Sequence, residues 1–214
     1  MSFTEQLRDG VGEAWDAVVR HRFTDALAEG TLEPEKMRRY LIQDHRFLDG
    51  FVVLLASAVA HAPALADRIP GCQFLALVTG PENTYFERSF AALGVTGGDR
   101  TAAPEAEATA EFKALMAEAA ASGSYARMLA VLTVAEWTYL SWADRVKHHK
   151  PADFWHSEWI DLHTGAYFES VVAWLRGQLD RAGPALPADE QAQVRRDFVR
   201  AIELEKAFFD HAWQ

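Results

Sequence analysis

Tyr40-Leu41-Ile42-Gln43-Asp44-His45-Arg46-Phe47-Leu48-Asp49-Gly50-Phe51 is the stretch on which the reading of this chain turns. It lies inside a long helical pattern that opens near Pro34. At 3.6 residues per turn one face reads Met37, Tyr40, Asp44, Phe47/Leu48, Phe51, Leu55. Every position but one is apolar or aromatic. Asp44 stands where the period asks for a core residue, and a carboxylate facing a core is costly unless paired or hydrogen-bonded. Two readings follow. Asp44 is a satisfied buried acid, or it is an acid that binds a ligand.

Working outward, helical periods cover most of the chain. Ser2 and Glu5 form a capping box. Phe3, Leu7, Val11, Trp15 and Val18/Val19 then predict one helix to about His21. A short helical turn follows and stops at Gly30. Pro34 stands near a helix start, where its missing N–H costs little. The helix carrying Asp44 is expected to end near Ala62-Pro63. A third helical region spans Ala64 to Leu93, with breaks expected at Pro70-Gly71 and Gly80-Pro81. Gly94 to Pro104 reads as a loop and Pro104 to Ala121 as a helix. Tyr125 to Lys150 is the most apolar helix, and Lys147-His148-His149-Lys150 complements its dipole. Further helices are expected to His163, from Thr164 to Arg181 and from Ala188 to Trp213, with Gly183 to Pro187 a loop. No period-2 run or Asn-Gly hairpin marks a strand. The expectation is an all-α bundle of seven to eight helices in one domain, residues 1–214.

Composition limits the function. The chain has 214 residues and a formal charge of -10, which argues against nucleic acid and anionic membranes. No apolar run reaches the ~20 residues of a membrane-spanning helix. The N-terminal residues lack the features of a signal peptide, so a cytoplasmic protein is expected. Cys72 is the only cysteine and reads as a packing residue.

Two more apolar stripes carry an intruding acid. One is Leu129, Leu132, Glu136, Tyr139/Leu140, Ala143. The other is Phe198, Ile202, Glu205, Phe208/Phe209, Ala212. Three acids on three long helices, each one turn from aromatics, suggest a shared polar pocket. Crowded, desolvated carboxyls repel, so at least one should hold its proton near neutrality, as acid/base chemistry requires. The competing reading is three separate acids, each paired with an arginine such as Arg39 or Arg200. A carboxylate-bridged metal pair would carry Glu-x-x-His on two helices. None of the eight histidines lies three residues after a glutamate, so no metal is expected. His21 and His45 are read as hydrogen-bonded structural residues rather than haem ligands. Phosphate-binding glycine loops and the Gly-x-Ser-x-Gly motif are absent.

Several of these motifs together resemble the TenA/thiaminase II family (TENA/THI-4/PQQC-like). They are Phe23, Leu27 to Leu32 with Gly30 and Thr31, Tyr40 to Leu48 with Gln43-Asp44, Ala135-Glu136-Trp137-Thr138-Tyr139, and Glu205 to Ala212. The resemblance spans nearly the whole chain. It implies a haem-oxygenase-like helical fold without haem or other cofactor, and a homo-oligomer, dimer or tetramer. It also implies hydrolysis of aminopyrimidines in thiamin salvage, releasing hydroxymethyl pyrimidine. In the best-known branch a cysteine on the central helix attacks the ring. Here the matching turn is Ala135-Glu136, so the chain is similar to the branch with a glutamate there, which acts on aminopyrimidine and formylaminopyrimidine. Carried over, Asp44 would hold the aminopyrimidine edge, and Phe47 and Tyr139 would stack on the ring. Glu205 would shuttle the proton of the leaving amine. Glu136 would activate water or add to the ring. Tyr85, Phe86, Trp159 and Tyr167 are candidate walls that also read as core aromatics. Two rivals remain: a cofactorless oxidase of the quinone-biosynthesis type, which would need several His and Arg in the pocket, and a non-catalytic pyrimidine- or partner-binding protein.

Overall fold

The long helix that carries Asp44 runs from Pro34 to His61, with Pro34 in its first turn. Most of its expected stripe is buried: Met37, Tyr40, Asp44, Phe51 and Leu55 lie inside, while Phe47 and Leu48 are half-buried. A computed structural model describes residues 1–214. It contains twelve α-helices and no strand. We label them α1 (Phe3–Asp9), α2 (Gly12–Val19), α3 (Arg22–Glu29), α4 (Pro34–His61), α5 (Leu65–Leu77) and α6 (Asn83–Leu93). The second half holds α7 (Gly97–Ala102), α8 (Glu107–Ala121), α9 (Tyr125–Val146), α10 (Phe154–Leu162), α11 (Gly165–Ala182) and α12 (Ala188–Trp213). A π-helical turn, Val78–Glu82, joins α5 to α6.

The helices outnumber the seven to eight expected because short segments were read as parts of longer ones or as loops. The Ser2/Glu5 capping box is present, but α1 stops at Asp9 with Gly10 as its C-cap. The first amphipathic run is therefore two helices. The stretch from Gly94 to Pro104 is not a plain loop. Thr96 and Asp99 cap each other and start α7. Conversely, Pro70-Gly71 does not break α5, which runs through both residues. A Cβ on Gly71 would lie 2.5 Å from Val59 Cγ2 on α4 and 3.0 Å from Trp174 Cη2 on α11. The close three-helix contact that glycine permits outweighs the local cost of Pro and Gly. The break falls at Gly80-Pro81 instead, where Pro81 has no N–H to donate.

At the centre, α9 is buried almost all round from Ala126 to Thr138, as expected of the most apolar helix. Around it pack α4, α8, α11 and α12. Arg127 on α9 grips Asp197 on α12 through Nε at 2.6 Å and Nη2 at 3.3 Å. Gln43 ties α4 to the start of α8: its Nε2 donates to the Pro104 carbonyl, and its Oε1 accepts from the Ala106 N–H and the Thr109 hydroxyl. These ties set the rotation of the three acid-bearing helices. No helix is long and apolar enough to cross a membrane. Cys72 is solvent-exposed on α5, so it is not the packing residue expected.

Candidate active site

Where α4, α9, α10, α12 and the π-turn converge they line a cavity. Asp44, Glu136 and Glu205 all line it, so the three intruding acids do meet. A fourth carboxyl, Glu82, lines it too. Each of the four side chains is at least nine-tenths buried. No lysine or arginine lines the cavity. The arginines considered as partners are occupied elsewhere: Arg39 donates to the Ala212 carbonyl, and Arg200 pairs with Glu111 and Glu203.

Desolvation with no compensating cation favours the protonated form of each acid. Burial pushes Asp44 up to about 7, partly offset by the Tyr40 hydroxyl. Burial, reinforced by Asp44, raises Glu82 to about 8. Glu136 is held well above the usual carboxylate range by burial and by Glu82, Glu205 and Asp44. Glu205 rises for the same reasons, with Asp44 as its charged neighbour. The pocket thus holds groups able to donate and to accept protons near neutral pH.

The walls are aromatic. Phe47, Phe51, Phe74, Phe112, Tyr139, Trp159 and Phe208 face the cavity, as does Ala135 beside Glu136. Phe47 meets Phe112 edge-on at 4.9 Å between ring centroids. The Tyr139 and Tyr40 hydroxyls are 2.7 Å apart, and Trp159 Nε1 donates to the Tyr40 oxygen at 3.2 Å. His163 also lines the cavity. Its Nδ1 lies 2.8 Å from the Trp159 carbonyl, which makes Nδ1 the donor and leaves Nε2 without a proton. Burial lowers His163 to about 4, so it adds no positive charge.

Tyr85 and Phe86 do not line the cavity. Both are buried behind Trp159: Tyr85 stacks on its ring at 5.0 Å and donates its hydroxyl to the Trp155 carbonyl, and Phe86 meets the same ring edge-on. Tyr167 is exposed on α11 and is not a wall. His21 caps α3, with Nδ1 accepting from Phe23 N–H, and pairs with Asp210, while His45 bonds to Asn83. Both histidines have the structural partners expected of them. Glu82, Phe112 and His163 line the cavity without a motif in the sequence that marks them, and Trp159 is a wall.

Fold and site define an all-α bundle protein with an acid-lined, aromatic-walled pocket. The chain belongs to the TENA/THI-4/PQQC family, whose model matches residues 8–214. An aminopyrimidine aminohydrolase from Halalkalibacterium halodurans is 24% identical, covering 100% of this chain and 96% of that protein. The solved TenA homologue from P. horikoshii OT3 superposes with a TM-score of 0.86 at 22% identity, covering 100% of this chain and 99% of its own. Heme oxygenase 2 from Chlamydomonas reinhardtii, solved without heme, superposes with a TM-score of 0.64 at 17% identity, over 98% and 97% of the two chains. The fold is therefore the haem-oxygenase-like helical bundle.

Proposed function

We propose that the protein is a hydrolase that acts on aminopyrimidine or formylaminopyrimidine in thiamin salvage and releases hydroxymethyl pyrimidine. The observation that carries the reading is the convergence of Asp44, Glu136 and Glu205 on one aromatic-walled cavity with no arginine to neutralise them. The similarity over the full chain to the aminopyrimidine aminohydrolase from Halalkalibacterium halodurans supports it.

In this reading the pyrimidine lies between Phe47 and Tyr139, and Asp44 holds its amino edge by a charge-assisted hydrogen bond. Glu136 takes a proton from water as the water oxygen bonds to the methylene carbon. The amine departs with the electron pair of the broken C–N bond, and Glu205 donates the proton that the departing nitrogen takes up. A carbon–nitrogen bond is exchanged for a carbon–oxygen bond, with no net redox change. Glu136 acts as base rather than nucleophile, because a carboxylate adds poorly to an aromatic carbon. The oxidase alternative loses ground: the cavity offers one histidine, held neutral, and no arginine. Incubating purified protein with aminopyrimidine, formylaminopyrimidine and thiamin, with products followed by mass, tests the proposal. Release of hydroxymethyl pyrimidine is expected. Tight pyrimidine binding with turnover of none of the three would leave the binding-protein reading standing instead.

A further inference from the structure

Tyr40 takes no part in the chemistry above and does not line the cavity, yet three cavity residues converge on its hydroxyl. The Tyr139 hydroxyl of α9 lies 2.7 Å away. Trp159 Nε1 of α10 donates to the Tyr40 oxygen at 3.2 Å. Asp44 stands one turn further along α4, and the Tyr40 hydroxyl stabilises its ionised form. The Tyr40 ring is fully buried and fixed: it packs on Phe23 at 4.8 Å, edge-on to Phe208 at 5.7 Å and stacked on Phe209 at 6.1 Å. Only the hydroxyl proton is free to turn.

Elementary counting limits where it turns. The hydroxyl has one proton and two lone pairs, and Trp159, which can only donate, takes one lone pair. One proton and one lone pair remain for Asp44 and Tyr139. When Asp44 is ionised it draws the proton, and Tyr139 donates its own to the lone pair. The Tyr139 oxygen, which makes no other hydrogen bond in the protein, is left as an acceptor for a ligand. When Asp44 is protonated it donates to Tyr40, Tyr40 donates to Tyr139, and the Tyr139 proton is left for a ligand.

We propose that Tyr40 is a positioning residue that couples the charge on Asp44 to the hydrogen-bonding sense of the Tyr139 hydroxyl. A ligand that brings an N–H to Tyr139 is favoured while Asp44 is ionised, and one that brings a carbonyl or ring nitrogen once Asp44 is protonated. The other titratable groups around Asp44 are Glu82 on the π-turn, Tyr85 on α6, Glu136 and Tyr139 on α9, His163 after α10 and Glu205 on α12. Their charges move the Asp44 midpoint, whereas Tyr40 is the group hydrogen-bonded to both Asp44 and Tyr139. The consequence for aminopyrimidine turnover rests on the hydrolase reading. The coupling itself does not.

The experiment is an NMR titration of the ligand-free full chain, isotope-labelled at the aspartate carboxyl and tyrosine Cζ carbons. Asp44→Asn and Tyr139→Phe assign the two signals. The Asp44 signal should titrate with a midpoint of about 7, and the Tyr139 signal should follow it. Tyr40→Phe should raise the Asp44 midpoint by about one pH unit or more, the worth of a hydrogen bond to a charged carboxyl, and the Tyr139 signal should no longer follow. A loosened, wetter site gives the opposite direction, because water favours the ionised carboxyl. Fluorotyrosine at position 40 keeps the hydroxyl and should keep the two signals moving together, which separates loss of the proton from loss of folding. In aminopyrimidine assays Tyr40→Phe should carry the pH profile of KM upward with the midpoint. A Tyr139 signal that ignores the Asp44 titration in the wild type overturns the coupling. So does one that still follows it in Tyr40→Phe, or an Asp44 midpoint that falls in that variant. If the signals move together but no pyrimidine turns over, the hydrolase reading falls and the coupling stands.

Discussion

Glu205 is flanked on α12 by Ile202 and Phe208/Phe209, and its carboxyl opens into the cavity with its proton favoured by burial. If it handles the proton of the departing amine, Glu205→Gln keeps the shape and removes the titration. Steady-state assays should then show kcat reduced ~10²-fold or more. If Asp44 holds the ring edge, Asp44→Asn is expected to act differently: KM should rise and kcat change little. A kcat loss at unchanged KM would assign Asp44 to the chemistry. Three of the four acids were legible because each interrupts a clean apolar stripe at helical spacing. Glu82 carries the same signature, since Phe74, Val78, Glu82, Phe86 and Phe90 are spaced by four and all are buried. It went unread because Gly80-Pro81 appeared to end the helix just before it. Tyr85 and Phe86 misled for the opposite reason: aromatic character near a pocket does not tell a lining ring from the ring behind it.

The π-turn matters most among the elements. Five residues in a wider turn carry Glu82 to the cavity wall. Pro81 favours this geometry, since it cannot donate to the carbonyl of Leu77. Pro81→Ala restores that donor and lets α-helical register compete. We expect near-wild-type helicity by circular dichroism but several-fold weaker aminopyrimidine binding. Unchanged binding would show that the turn is held by packing rather than by the missing donor. Long elements were legible to within a few residues: α12 has the expected limits, and α9 ends at Val146 rather than Lys150. The divided N-terminal helix, α7 and the uninterrupted α5 were not, because caps and close contacts such as Gly71 against Val59 and Trp174 decide them. Periodicity does not record these contacts.

Across the whole molecule, the cavity acids tie stability to pH. Asp44 and Glu82 release their protons in the folded state near about 7 and about 8, against 3.8 and 4.5 for the free side chains. Between those limits the native state binds more protons than the unfolded chain, so stability falls as pH rises. His163 has the opposite sign but acts only below the ordinary imidazole value of 6.5. From pH ~6.5 to ~8 the acids therefore set the slope, and those two together cost on the order of 2 kcal/mol. For a chain of this size that lowers Tm by roughly 4–8 °C. Thermal melts of the ligand-free protein across this range should show the decline, and Glu82→Gln should flatten it. A Tm that rises over the same interval would contradict the buried, uncompensated state of the acids.

The placement of sulfur has a practical consequence. Cys72 is the chain's only thiol and is open to solvent on α5, while the cavity wall at position 135 is a methyl group. A maleimide dye should therefore attach at one place per chain, and alkylation should leave catalytic turnover intact. Loss of turnover in step with labelling would mean that the outer face of α5 communicates with the interior. Short of that, the molecule comes ready for single-site fluorescence measurement without any engineered handle.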